Sequence, residues 1–434
     1  MDKQKEKKEI KERKENWREY WATVDDIERF LDDHILLRRN VVTGRVECRI
    51  PESDYFQHDG TTGMTTDWVP LTDHIVNELW RLLSKTKKVK KPDIYNVIES
   101  NYTPCYHPFR YYLEHLPHWD GQDYILAMSV SVTVKGETEE QALFDDYLKK
   151  WLVGMVAGWV DPDVVNNVIL VLIGEQGSYK TTWFSRLLPP QLQQYFRVKT
   201  NSSRMTKDDL LVLSDYGLVC YEELETMRPS ELNQLKAAVT MPSVDERRPY
   251  DRYTEHRQHV ASFCGTGNSV QFLSDPTGNR RWLPFEVQSI DPPQSHPLNY
   301  EGIYSQAYAL YSQGYRYWFT RQEMERLTEH NRQFETPRLE KELVNLYFRQ
   351  PAINEPGEFM PVSLAMQIVG AGITQKLSSV LLGRSFVELG FERRTSRNIR
   401  GYVVVRRSAE EMRSVRNMMA LPKTDTDTDD TDVF

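Results

Sequence analysis

Four apolar runs break an otherwise amphipathic chain, and each ends on side chains able to do chemistry. The first lies in NNVILVLIGEQGSYKTTWFSRLLPP, residues 166–190, where a wholly apolar stretch enters a glycine-bearing loop and then a second apolar segment. An unbroken apolar run bounded by turn signals predicts a strand buried on both faces, and the following segment predicts a helix. YGLVCYEEL (216–224), HVASFCGTGN (259–268) and TGNRRWLP (277–284) repeat the strand pattern. Amphipathic spacing predicts helices in DWVPLTDHIVNELWRLLS, in YHPFRYYLEHL, over 142–159 and across the Tyr- and Arg-rich stretch 300–350. A short β region is expected near 41–51. Further on, a helix near 361–369, a turn at 370–373, a helix over 374–389 and a hairpin FERRTSRNIRGYVVVRR give the layout of a winged helix-turn-helix. No internal repeat is visible. The boundaries that follow are a charged arm (1–16), a helical linker domain (17–138), a core (139–297), a helical segment (298–350), a winged-helix-like domain (351–416) and an acidic tail (417–434).

The first run predicts a nucleotide-phosphate cradle. A strand feeding a tight loop into a helix N-terminus gathers backbone N–H groups at one spot, where the helix dipole favours a polyphosphate. Gly174, Gly177, Ser178, Tyr179, Lys180, Thr181 and Thr182 form that cradle, with Lys180 reaching the β and γ phosphates of ATP and Thr181 ligating Mg²⁺. Tyr179 stands where G-x-x-x-x-G-K-[ST] has its last glycine. That substitution leaves two alternatives open, a degenerate loop that no longer binds ATP and an ordinary strand-turn-helix.

The later runs supply the rest of a hydrolytic site in order. Glu222 and Glu223 close one strand, and such a pair can divide between the Mg²⁺ shell and activation of the attacking water. Glu222 suits the metal and Glu223 the base. Asn268 ends the next strand and is placed to sense the γ phosphate. Arg280 and Arg281 are candidates for an arginine finger reaching a neighbouring subunit's site.

Several blocks in one order resemble the virulence-associated protein E family of phage and mobile-element ATPases, related to superfamily 3 helicases and primase-helicases. The carriers are YHPFRYYLEHLPHWDG (106–121), GEQGSYKTT (174–182), EELETMRPSELNQLKAAVT (222–240), DERRPYDR (245–252), FCGTGN (263–268) and DPTGNRRWLPFEV (275–287). The resemblance implies an α/β fold: an AAA+-like P-loop ATPase core with a mainly helical N-terminal domain, similar to a primase C-terminal linker, and a C-terminal winged-helix-like domain. It also implies a ring, of which a hexamer is the expected form, that translocates on nucleic acid. Lys180, Thr181, Glu223, Asn268 and one of Arg280 or Arg281 would be functional in it. A hairpin at 245–257 would line the pore, with Arg247, Arg248, Arg252 and Arg257 on phosphates and Tyr250 and Tyr253 on bases. Lys236 would serve the pore or a neighbouring site. No acid pair suits primer synthesis, so a separate primase is an expected partner.

Composition narrows the setting. With 434 residues and 39% hydrophobic content, the chain can bury at least two cores. Its four cysteines, Cys48, Cys105, Cys220 and Cys264, lack metal-site or disulfide spacing, and His115 and His118 read as part of a Pro-containing turn. The basic start has no signal-peptide core and no apolar run reaches membrane-spanning length, so no membrane partner and a cytoplasmic location are expected. Net charge is −8, yet residues 376–407 carry eight basic side chains against Glu388 and Glu392, a local excess of +6. Lys376, Ser378, Ser379 and Arg384 would face a groove of single- or double-stranded DNA, and Arg393, Arg394, Arg397 and Arg400 its phosphates. The alternative is a lid with a solvated basic hairpin. The tail TDTDTDDTDVF has five Asp and no core-forming pattern, and disorder is expected there. Three functions stay open: an ATP-driven helicase or translocase, an initiator or defence regulator using ATP for assembly, and a scaffold with a dead nucleotide site.

Overall fold

The computed structural model describes residues 20–51, 67–200, 207–246, 254–273, 279–371, 373, 377–396 and 399–420. Two compact units divide at Glu335. The first begins with helix α1 (Val24–His34), whose capping box uses Thr23 and Asp26, and with strands β1 (Leu36–Asn40), β2 (Arg45–Arg49) and β3 (Val69–Pro70). Helices α2 (Asp73–Leu83) and α3 (Lys91–Ile98) and strand β4 (Cys105–Tyr106) complete this layer. The sheet runs β3-β2-β1-β4, and Ile27, Leu31, Val76, Leu79 and Ile94 pack beneath it. Helices still make up most of this layer, as expected, and β2 falls in the β region expected near 41–51, while β1, β3 and β4 lie outside it. The sheet's strands are short and mixed with charge, so their period-2 signal was weak.

The core follows: α4 (Pro108–Glu114), α5 (Tyr124–Ser129), β5 (Val132–Val134) and the long α6 (Thr138–Val160). Then come β6 (Ile169–Ile173), α7 (Lys180–Ser185), β7 (Phe196–Lys199), α8 (Lys207–Asp215), β8 (Leu218–Tyr221) and α9 (Pro229–Ala238). A hairpin of β9 (Ser243–Glu246) and β10 (Glu255–Gln258) precedes β11 (Ser262–Gly267) and β12 (Trp282–Ile290), after which α10 (Tyr300–Ser312) and α11 (Arg321–His330) close the unit. One six-stranded sheet runs β5-β12-β6-β11-β8-β7. All neighbours in it are parallel except the β5–β12 pair. The fold is therefore mixed α/β around a parallel sheet.

The unbroken apolar runs have a simple cause. Alternate residues of each strand enter different cores: Leu170, Leu172, Cys220, Cys264 and Phe285 pack with Trp151, Trp159 and Phe184 on one face. Ile169, Val171, Val219, Phe263 and Trp282 pack with Leu232, Leu235 and Val239 on the other. Both faces being covered, both favour apolar side chains, with Ser262 and Thr266 of β11 as buried exceptions.

The second unit holds α12 (Leu339–Tyr347), β13 (Phe348–Arg349), β14 (Glu358–Pro361), α13 (Val362–Gly370), α14 (Ser379–Glu388), β15 (Arg393–Ser396), β16 (Ile399–Arg406) and α15 (Ala409–Ala420). Strand β16 pairs antiparallel with β13, β14 and β15. Val344, Phe348, Leu382, Phe386 and Val404 form its core. The helical stretch 298–350 is thus divided, its last helix belonging to this unit. Helix α14 begins at Ser379 because Ser378 caps it, the side chain accepting the Leu381 N–H, so Ser378 is a cap before it is a groove contact.

Candidate functional site

At the C-terminal end of β6 the chain turns through Gly174–Tyr179 into α7, and three elements converge there on one cavity of about 280 Å³. It is bordered by the loop from Gln176 to Thr182 together with Glu222, Glu223, Thr266 and Asn268. Open parallel sheets place ligands in just this position, beyond the carboxyl ends of their strands.

The loop's shape is set by two left-handed residues. Gly177 has φ 85° and Tyr179 has φ 61°, ψ 12°. A glycine at the second position would adopt this conformation freely, whereas Tyr179 holds it at a cost of about 1–2 kcal/mol, its ring 45% exposed. The departure from the usual motif therefore changes the side chain and leaves the backbone geometry intact. Glu223 also lies in the left-handed region, φ 53° and ψ 50°. Of the three non-glycine residues with positive φ among the described residues, Tyr179 and Glu223 thus border this one cavity, which makes it a candidate functional site. We expect Tyr179→Gly to change ATP affinity by no more than about threefold and to leave thermal stability equal or up to about 1 kcal/mol higher, the relief of strain being partly offset by glycine's unfolded-state entropy. Complete loss of binding in a titration would instead make the ring part of the site.

Lys180 is 7% exposed. Its Nζ donates to the carbonyls of Gly174 (2.8 Å) and Glu175 (2.6 Å) and to Ser178 Oγ (3.2 Å), and it lies 3.5 Å from Asn268 Oδ1. Burial pulls its pKa down, and the charge of Glu225 opposes that shift. Thr181 Oγ1 donates to Glu222 Oε1 at 2.7 Å, bringing the hydroxyl and carboxylate expected around Mg²⁺ side by side. Among the described residues no cluster of three His, Cys, Asp or Glu could hold a metal alone. A hydroxyl and one carboxylate suit Mg²⁺, which keeps several waters and takes the rest of its shell from substrate phosphates.

Sequence reasoning missed Glu225. Its Oε1 accepts the Asn268 backbone N–H at 3.0 Å, fixing the residue that ends β11, while Oε2 is buried with no hydrogen-bond partner. A Cβ on Gly267 would approach that oxygen to 3.0 Å, so the position favours glycine. The available signal was the third acid in EELE, masked by the strand-end pair before it.

The remaining candidates do not share this cavity. Arg280 and Arg281 lie in a 3₁₀ turn before β12. Trp282 is level with Ile169 and Glu286 with Ile173, so the arginines stand at the end of the sheet opposite the phosphate loop, roughly 15 Å away along the strands. Burial lowers the pKa of Arg281, and the neighbouring Arg280 adds to the effect. Arg247, Arg248, Tyr250 and Arg252, with Tyr253, fall outside the described residues, as do Lys376 and Arg397. Arg257, expected on nucleic acid, is instead 7% exposed. It pairs with Asp215 at 2.7 Å and donates to the carbonyl of Val42, because it sits at the hairpin's base against the N-terminal layer. In the second unit Arg384 on α14, Arg393 and Arg394 on β15 and Arg400 on β16 are exposed and pair with no carboxylate among the described residues. Arg406 and Arg407 are engaged, with Glu358 and the Asn345 carbonyl.

The virulence-associated protein E-like domain matches residues 113–336, more than half of the chain and the whole span from the cavity's first strand to its last. The chain belongs to the virulence-associated protein E-like family. Its core sheet and phosphate loop are accordingly those of a P-loop-type family. Among solved structures, the apo C-terminal region of NrS-1 (residues 305–718 of that protein) is 12% identical over 86% of this chain and 97% of its own, with a TM-score of 0.44. An A form of the same region is 10% identical over 87% and 98%, at 0.43. No curated protein matches the chain. No helix among the described residues is long and apolar enough to cross a membrane.

Proposed function

We propose that this virulence-associated protein E-like chain is an ATP-driven motor acting on DNA during replication of a phage or mobile element. One observation carries the reading: Lys180, Thr181, Glu222, Glu223 and Asn268, drawn from three separate segments, border one cavity at the carboxyl end of a parallel sheet. Lys180 neutralises the β and γ phosphates, and Thr181 with Glu222 would hold Mg²⁺, which would supply charge stabilisation there. Glu223 takes the proton of the attacking water, and Asn268, pinned by Glu225, orients that water. An AAA+-like core is supported by the interposition of β11 between the phosphate-loop strand and the acidic strand β8, which puts Asn268 between them. A winged-helix reading of the second unit is supported by three helices ahead of an exposed basic hairpin, with Arg384, Arg393, Arg394 and Arg400 available to DNA.

Steady-state ATPase turnover with and without single-stranded DNA tests the proposal. Stimulated turnover is expected. ATP-dependent assembly without turnover would select an initiator or regulator, and absence of ATP binding a scaffold.

Ring assembly gives a sharper expectation. Arg280 and Arg281 stand too far along the sheet to serve their own cavity, which favours action on a neighbour's. Mixing Arg280→Ala or Arg281→Ala subunits with Lys180→Ala subunits should restore turnover above that of either alone, since one interface then joins an intact loop to an intact finger. Failure of every mixture, with turnover strictly linear in protein concentration, would refute shared sites.

A further inference from the structure

The block 106–121 carries much of the family resemblance yet contributes nothing to the phosphate cavity. It borders a different cavity, of about 980 Å³, where β4 and α4 meet the segment after α7 and the start of α10. Within the block, Phe109 and Leu113 are core residues, 0% and 2% exposed, whereas Tyr111 is 51% exposed. Packing explains the first two and leaves the third without a reason.

The exposed ring belongs to a continuous ladder. The Arg38 guanidinium lies 4.2 Å from the Trp68 ring centroid and 3.6 Å from that of Tyr106. Tyr106 meets Tyr111 edge-on at 5.4 Å, and Tyr111 stacks on His115 at 4.0 Å. Three carboxamides, Gln191, Gln194 and Asn299, border the same space, the Asn299 oxygen already accepting the Gly302 N–H at 3.0 Å as it caps α10. Charge is the discriminating feature. Arg38 is engaged with Glu47 at 2.6 Å, and the other charged lining residues are Asp67 and Glu301. No uncompensated guanidinium or ammonium is therefore offered to a phosphate by the described lining residues.

We propose that this cavity binds a nucleobase, stacking it on the Tyr111 ladder and reading its edge with the carboxamides, while leaving the phosphate in solvent. Aromatic faces accept any base, and carboxamides carry both the donor and the acceptor that base edges require. The base can come from a single strand or from a free nucleoside. Neither source depends on ATP hydrolysis, so the test stands apart from the ATPase reading.

The full chain is irradiated, without ATP, with an oligodeoxynucleotide carrying 5-iododeoxyuridine and separately with free 5-iodouridine, and adducts are mapped by mass spectrometry. An adduct on Tyr111 or its ring neighbours Tyr106 and His115 is expected. Tyr111→Ala should lower its yield by about fivefold to a hundredfold, the scale of losing one base stack, while Tyr111→Phe keeps it. Thermal melting of both variants verifies that they are folded. An adduct with the oligonucleotide alone identifies a strand as the source, and one with the nucleoside a free ligand. Absence of adducts in the 106–121 peptide from both probes, or equal yields in wild type and Tyr111→Ala, overturns the proposal.

Discussion

Lys180→Ala is expected to abolish ATP turnover, by at least about a hundredfold, in a chain that still folds. Among the described residues its ammonium group is the only permanent cation bordering the phosphate cavity, and it is already held at the loop by the Gly174 and Glu175 carbonyls. Removing it takes away the one protein cation opposing a polyphosphate's charge there, in a partly buried place where that charge is poorly screened. The stability cost is small. The two carbonyls lose a donor beside a water-accessible cavity, a change worth about 1 kcal/mol. Steady-state turnover and thermal melting on the same preparation decide the matter, and wild-type turnover in a folded variant would remove the cavity from consideration as the active site.

Glu223→Gln and Glu222→Gln should separate cleanly. Glu223 is exposed into the cavity, and the backbone strain at its φ of 53° is borne where an acid borders the cavity. Its amide keeps the shape but cannot take a proton, so ATP binding persists while hydrolysis slows by about 100-fold to 10,000-fold. Glu222 accepts the Thr181 hydroxyl at 2.7 Å, so its amide should chiefly raise the Mg²⁺ concentration needed for nucleotide binding. Binding measured by equilibrium titration across Mg²⁺ concentrations, beside single-turnover hydrolysis, distinguishes them. Reversed phenotypes would exchange the two roles.

The core was legible in sequence because its strands are buried on both faces, and a wholly apolar run such as ILVLI is unfavourable anywhere that water reaches one side of it. The residues that border the cavity could be picked out for a related reason: Lys180, Glu222, Glu223 and Asn268 each follow such a run. Of the N-terminal sheet only the stretch around β2 was legible, since strands like Leu36–Asn40 alternate little and carry Arg38 and Arg39. Glu225 escaped because its role depends on β11 coming back beside the acidic strand, a long-range pairing no local pattern records. Arg257 was misread by the same limitation: a basic residue in a basic hairpin looks solvent-facing until Asp215 and Val42 are brought to it.

That buried arginine also fastens the base of the hairpin to two other parts of its unit. Strand β10 is tied at Arg257 to α8 through Asp215 and to the β1–β2 turn through Val42, while β9 is laddered to β10 along Ser243–Glu246. The base of the hairpin is thus anchored in two layers. Loosening the base of the hairpin therefore requires the ion pair with Asp215 and the bond to the Val42 carbonyl to break together.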